Sequence, residues 1–212
     1  MREFLIVLIA SLFAGIVIMI LHEFPKAFVY QLLDKKQKKN EEDMVKDSLP
    51  IKSQSIWKLH HYIDPIGLLF CGILRIGFSK PYYYRIKDKK VSRILGITGL
   101  LSLILQFLVS ASILRFGLGL DSKLIISAGA STAFEFFIYF ISCYAIISLG
   151  MLLTNLFPIV AFDMGLLVAA SSPLKFLTII RADYLIKMVW LFTVLLGILS
   201  AVSSTIFGLF MG

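Results

Sequence analysis

Four long apolar stretches constrain this chain more than any other feature of the sequence. They cover residues 4–33, 94–116, 133–157 and 184–211, and each exceeds or approaches the roughly 20 helical residues that cross a bilayer. Hydrophobic residues make up 58% of the chain, whereas about 45–50% is usual for a soluble domain. Because this apolar excess must face lipid, the sequence predicts an all-α membrane protein with about four transmembrane helices.

The chain between the first two spans divides into a polar and an apolar part. Residues 34–58 are rich in charge and have little hydrophobic periodicity, which predicts a flexible polar loop. Residues 63–78 are apolar but short, and Pro65 and several glycines interrupt them. This pattern favours a re-entrant or interfacial segment over a span. No internal repeat is present, so we expect a single membrane domain over residues 1–212.

The positive charge of the chain predicts its topology. The net charge is +8, and nearly all lysines and arginines of the connections lie in residues 34–93 and 158–187. Lys and Arg mark the cytoplasmic side, so we expect both termini outside the cell and the polar loop in the cytoplasm. The basic residues of segment 80–93 are suited to anionic lipid at the cytoplasmic face. The charge therefore indicates membrane topology, and nucleic acid is not an expected partner.

Two ionisable residues, His22 and Glu23, lie within the first apolar stretch. A charge inside a span costs about 2.5–3.5 kcal/mol on insertion scales, so such residues usually have a partner or a function. The motif HExxH places two zinc-binding histidines on one helix face with a catalytic Glu between them. Here the sequence reads HEFPK, with Lys26 at the second histidine position. Pro25 strains a helix, which predicts that Lys26 leaves the face of His22.

Three further motifs follow in the chain, YIDPIG at residues 62–67, GFSKP at 77–81 and NLFPIVAFDMG at 155–165. Together with HEFPK, this series resembles the bacterial branch of the site-2 protease family of intramembrane zinc peptidases. In that family HExxH is followed by IDPxG, GxAKP and NxxPxxxLDGG segments in the same order. The resemblance covers about residues 4–172 and implies that the first and third spans bring their polar motifs to a common depth.

The resemblance implies roles for three residues. His22 and Asp163 match zinc ligands, and Glu23 matches the general base that activates a metal-bound water. It also implies a prokaryotic plasma membrane as the location, and transmembrane protein or peptide segments as substrates or partners. The chain departs from the family at Lys26, because an ammonium has no lone pair for a metal. It departs again at Met164, which replaces the first glycine after the aspartate.

Simpler interpretations stay open at these positions. Glu23 and Lys26 are spaced to form an i,i+3 ion pair that would neutralise both groups without a metal. Asp163 has other candidate cationic partners in its vicinity along the chain, namely Arg181 and Lys187. A missing third zinc ligand would have to come from water or from the remaining histidines, His60 and His61.

Two functions are compatible with this pattern. The first is a zinc metalloendopeptidase that cleaves peptide bonds within the membrane, with Glu23 as base and His22 and Asp163 on the metal. The second is a catalytically inactive pseudoprotease that acts as a binding or scaffold subunit in the membrane. The sequence does not decide whether the protein is an enzyme.

Overall fold

The computed structural model describes residues 1–41, 56–82, 88–117 and 132–212, and within these ranges the regular secondary structure is helical throughout. A short 3₁₀ turn at Leu59–Tyr62 precedes α2, and a π-helical turn at Ile113–Gly117 continues α3. The α-helices, numbered in chain order, are α1 (Arg2–Glu41), α2 (Pro65–Leu74), α3 (Lys89–Ser112), α4 (Thr132–Asn155), α5 (Asp163–Ser171), α6 (Pro173–Leu195) and α7 (Ile198–Met211).

Three segments are long and apolar enough to cross a membrane, and a bent pair of helices brings the number to four. The three are Arg2–Leu33, Lys89–Phe116 and Thr132–Asn155, and the pair is α6 with α7, bent by 59°. Over the described residues, the prediction of a helical chain with about four segments long and apolar enough to span a membrane is confirmed.

The fourth predicted span, residues 184–211, begins too late. Helix α6 starts at Pro173, a residue well suited to a first helical position, and the Ser172 side chain accepts from the Lys175 amide to cap it. The bend follows from Gly197, whose φ of 71° is a left-handed conformation that ends the helical path. Helix α6 thus begins 11 residues before the start of the predicted span.

The structure describes only part of the predicted polar loop, residues 34–58, but all of the predicted re-entrant segment, residues 63–78. Helix α1 continues past Leu33 to Glu41, so the first part of the expected polar loop is helical, and residues 42–55 lie outside the described part of the chain. The apolar part forms α2, which is ten residues long. The Asp64 side chain caps α2 by accepting from the amides of Ile66 and Gly67.

After α2 the chain turns back along the helix that it has just left. The turn uses Arg75 at a φ of 55°, and residues 76–82 then run without regular secondary structure. Gly67 permits the close return, because a Cβ at this position would lie 2.0 Å from the carbonyl oxygen of Phe78. The motifs YIDPIG and GFSKP therefore pack directly against each other.

Two polar contacts fix the relative direction of the spans. Arg2, at the start of α1, pairs with Glu135 at the start of α4 at 3.1 Å. The Arg115 guanidinium, at the end of α3, donates to the carbonyl oxygen of Phe210 near the C-terminus. Ile113, at the end of α3, and Phe137, near the start of α4, line the same groove. Both chain ends thus lie at one end of the bundle, and α1 and α4 run in the same direction toward the other end.

A buried apolar cluster joins α1, α2, α3 and α4. Its fully buried members include Ile18, Met19, Leu103, Ile147 and Met151. Ile18 and Met19 lie about one helical turn before His22 on α1. This packing holds α1 against α3 and α4, and it positions His22 and Glu23 on the inner face of α1.

Candidate functional site

Four ionisable side chains meet in the interior of the bundle. His22, Glu23 and Lys26 come from α1, and Asp163 is the first residue of α5. Their exposed fractions are 0%, 1%, 2% and 1%, so all four are removed from solvent. We call these four residues the polar cluster. The expected meeting of the polar motifs of the first and third spans is thus found in the structure.

Pro25 does not separate His22 from Lys26, and that prediction is wrong. Helix α1 is continuous through Pro25, so the two side chains, four residues apart, stay on the same face. The Lys26 ammonium lies 3.0 Å from His22 Nε2 as a result. A proline removes one backbone donor from a helix, but in a long and packed helix this loss does not end it.

The Lys26 ammonium lies at the centre of the polar cluster. Its Nζ atom is 2.7 Å from Glu23 Oε1 and 2.9 Å from Asp163 Oδ1, in addition to the contact with His22 Nε2. A lysine ammonium carries three N–H donors and no acceptor. Each donor therefore has one partner, and the three partners come from three different residues.

The hydrogen-bond network assigns the tautomer of His22. The Ser102 hydroxyl donates to the carbonyl oxygen of Gly99 at 2.7 Å, which uses its only hydrogen. It must therefore accept from His22 Nδ1, which lies 3.1 Å away. A neutral imidazole protonated at Nδ1 keeps a lone pair at Nε2, and this lone pair accepts from Lys26.

Glu23 has further donors on the segment that returns from α2. The Ser79 hydroxyl donates to Glu23 Oε1 at 2.7 Å, and the Tyr82 amide donates to Oε2 at 3.4 Å. Both donors belong to the buried part of the return segment. The GFSKP motif is thereby connected to the HEFPK motif through a side chain that carries a negative charge.

Asn155 and Gly99 position Asp163. The Asp163 amide donates to the Asn155 side chain at 3.4 Å, and that side chain donates to the Met151 carbonyl of α4 at 2.9 Å. A Cβ on Gly99 would lie 2.3–2.4 Å from the carboxylate atoms of Asp163. Only glycine leaves room for this carboxylate to pack against α3.

An aromatic layer covers the polar cluster on the side of the 3₁₀ turn. Ala27, Ile56, Tyr62 and Tyr82 form a buried group against Phe24 and Tyr30 of α1. Burial, with smaller contributions from Tyr82 and Glu23, raises the pKa of the Tyr62 hydroxyl to about 12. The hydroxyl therefore stays protonated and donates to the Ile56 carbonyl at 2.8 Å.

The simpler interpretations have different outcomes. The Glu23–Lys26 ion pair is confirmed at 2.7 Å. Lys187 is not the partner of Asp163, because it pairs with Asp183 at 2.5 Å.

His60 and His61 pack against each other with ring centroids 4.2 Å apart. Neither ring is among the contacts described for the polar cluster. Sequence reasoning missed Ser102 and the part that Gly99 plays. Their spacing of three residues on one face of α3 was the available signal.

The residues present do not fit a zinc ion while Lys26 is protonated. Two of the atoms that would bind the metal, His22 Nε2 and one oxygen of Asp163, already accept hydrogen bonds from the Lys26 ammonium. The charge of the ammonium repels a metal cation, and its nitrogen has no lone pair with which to bind one. Over the ranges that the structure describes, no group of three or more His, Cys, Asp or Glu side chains is arranged to hold a metal ion. The zinc site that the motifs imply has an ammonium where the metal would be.

Comparisons with known proteins give no further identification. The chain matches no protein-family model, no curated protein and no solved structure.

Proposed function

We propose that this protein is a catalytically inactive relative of the site-2 proteases, a pseudoprotease that binds transmembrane segments of other proteins without cleaving them. One observation carries the proposal. The Lys26 ammonium donates to His22, Glu23 and Asp163, the three residues that the motifs assign to zinc chemistry. The ammonium supplies one positive charge at the point where the family holds a metal.

The contacts of Glu23 argue against peptide hydrolysis. A metallopeptidase needs this carboxylate to take a proton from a metal-activated water. Here one of its oxygens accepts from both Lys26 and Ser79 at 2.7 Å. With two lone pairs on a carboxylate oxygen, this atom would have to give up one of these hydrogen bonds before it could take a proton from water.

The ammonium also supports a structural role for the polar cluster. Glu23 and Asp163 bring two negative charges into the interior, and Lys26 lies within 2.9 Å of both. Since membrane helices associate through packing and internal polar contacts, the fold does not need a metal once this charge is present. A chain of this kind keeps the shape of a peptidase core and is free to serve as a binding subunit.

Placement in the membrane is part of the same proposal. Helix α2 and its return segment form a re-entrant or interfacial loop that reaches the polar cluster, since Ser79 is 8% exposed and bonded to Glu23. Lys89, Lys90 and Arg93 are exposed at the start of α3 and mark the cytoplasmic face of a plasma membrane, where anionic lipid would contact them. Residues 83–87 of the basic segment lie outside the described part of the chain.

A cleavage assay tests the proposal against the active-peptidase alternative. The full-length protein is reconstituted in lipid nanodiscs with a fluorescent transmembrane peptide, with zinc added, and peptide binding and peptide products are measured together. We expect binding without cleavage. Cleavage that disappears in Glu23→Gln and in Asp163→Asn would show that the protein is an active metalloendopeptidase.

A further inference from the structure

A groove opens between α1, α3 and α4. Its volume is about 410 Å³, and its lining is almost entirely apolar, including Leu21, Leu105, Val109, Ile113 and Phe137. These residues belong to spans, so the groove faces the hydrocarbon of the bilayer. An apolar groove alone says little, because any lipid chain can cover it.

One pair of polar side chains distinguishes this groove from a purely apolar surface. Gln106 and Tyr144 line it together, and the Tyr144 hydroxyl donates to Gln106 Oε1 at 2.7 Å. Gln106 is only 9% exposed, and its Nε2 atom is buried and has no hydrogen-bond partner among the described residues. Within the described part of the chain, the Gln106 amide is thus a hydrogen-bond donor without an acceptor.

The depth of Gln106 excludes the usual acceptors. It lies 13 residues after Arg93 and 9 residues before Arg115, which corresponds to about 20 Å and about 13 Å along a helix. Both arginines belong near the membrane surfaces, so the amide lies within the hydrocarbon core of roughly 30 Å. Neither water nor a lipid ester carbonyl is available there, and an unpaired donor in hydrocarbon costs several kcal/mol.

We propose that this groove binds a transmembrane helix of a partner protein that carries a Ser, Thr, Asn or Gln at mid-membrane. The side-chain oxygen of that residue accepts from Gln106 Nε2, and the apolar faces of the two helices fill the groove. Lipid acyl chains offer no acceptor, whereas the side-chain oxygen of Ser, Thr, Asn or Gln projects from its helix and can reach the amide. The proposal deepens the pseudoprotease assignment, on which it rests, by naming the binding surface and the chemistry of the partner.

A pair of peptides tests the hydrogen bond. A labelled poly-leucine transmembrane peptide with one central Asn, and the same peptide with Leu at that position, are titrated against the full-length protein in nanodiscs by energy transfer. We expect the Asn peptide to bind about threefold to tenfold more tightly, in line with polar contacts between membrane helices. In Gln106→Leu the two affinities become equal. Equal affinities already in the unmodified protein would overturn the proposal.

A second pair of variants tests the location. Val109→Trp fills the groove, whereas Leu108→Trp changes a neighbouring exposed residue of α3 that is not part of the lining. We expect the first to abolish preferential binding of the Asn peptide and the second to leave it unchanged, with both variants unfolding at the temperature of the parent. Unchanged binding in Val109→Trp would overturn the proposal. The proposal would also be overturned if the protein formed a dimer that Val109→Trp dissociates and Leu108→Trp does not, because the groove would then bind a second copy of this chain.

This assay and the cleavage assay fail independently. Affinity is measured with zinc removed, so a protein that proves to be a peptidase can still bind the Asn peptide through the groove. A protein that cleaves nothing and does not prefer the Asn peptide refutes the groove and leaves the pseudoprotease assignment intact.

Discussion

Lys26 has a different function in the folded protein from the one that its position in the motif suggests. In a metal site it is a defect, because it replaces a ligand with a like charge. In the structure it is the counterion of Glu23 and Asp163, at 2.7 Å and 2.9 Å, and the donor to His22. The positive charge that balances the two buried carboxylates is thus covalently attached to the chain.

Removing the charge of Lys26 tests this function. Lys26→Met keeps most of the side-chain length but leaves two buried carboxylates without a cation, so we expect the free energy of unfolding to fall by about 3–5 kcal/mol. Unfolding in a titration of mixed detergent micelles with dodecyl sulfate measures the change. Lys187→Met, which removes a lysine that is 52% exposed, is the matched control with little expected effect.

Neutralising the carboxylates should restore stability to the Lys26→Met variant. Adding Glu23→Gln and Asp163→Asn removes the charges that the lysine balanced, so most of the lost free energy should return. A Lys26→Met protein as stable as its parent would contradict the assignment of Lys26 as a buried counterion.

Ser102 has a separate effect that can be measured on His22. Ser102→Ala removes an acceptor for His22 Nδ1–H, and the loss of a hydrogen bond of this kind costs about 0.5–1.5 kcal/mol. We expect a loss of this size in the same unfolding titration. Thr98→Ala, on an exposed face of the same helix, should change the free energy of unfolding by less than about 0.5 kcal/mol. Equal effects of the two substitutions would remove the support for the assigned tautomer.

At the scale of elements, the approach of α5 to α3 decides where Asp163 lies. Gly96 and Gly99 form the contact, since a Cβ at Gly96 would lie 2.9 Å from the Asp163 carbonyl oxygen. Small residues of this kind let membrane helices approach closely. The sequence shows a glycine pair, but the site residue that packs there comes from a motif more than sixty positions later.

Gly99→Ala tests this contact directly. The added methyl group would overlap the Asp163 carboxylate, so we expect a loss of about 1–3 kcal/mol and a displaced polar cluster. In Gly208→Ala the added Cβ meets nothing within 4 Å, and a gain of up to about 1 kcal/mol from helix propensity is expected. Thermal unfolding of both variants in one detergent measures the difference. Similar stabilities would argue against the close packing of α5 on α3.

Hydropathy predicted the spans well because transfer into lipid is a property of single helices. The first three spans match their predicted positions within a few residues. The start of α6 was missed because Ser172, Pro173 and Lys175 read as a polar connection, whereas in the structure they form a capped helix start. The polar cluster was predicted only in part, since order along the chain brings His22 and Asp163 together but does not reveal that Lys26 reaches between them.

At the scale of the whole molecule, the contacts of Arg2 with Glu135 and of Arg115 with Phe210 place both chain ends at one end of the bundle. The distribution of lysines and arginines predicts that this end lies outside the cell. Labelling of single cysteines at positions 2 and 212 with a membrane-impermeant thiol reagent tests the orientation. Cys71 and Cys143 are buried and give little background. We expect both positions to react in intact cells, and reaction of only one of them would contradict the shared end.

The central claim is that an ammonium replaces the metal, and zinc content per chain tests it most directly. The protein is purified in mild detergent with zinc present, and bound metal is counted after removal of the excess. We expect no bound zinc in the parent. We expect near one zinc per chain in Lys26→His, because His22 Nε2 and Asp163 Oδ2 already lie 3.3 Å apart, about the spacing of neighbouring ligands around a tetrahedral zinc. Near-stoichiometric zinc in the parent that is lost in His22→Ala and Asp163→Ala would contradict the account.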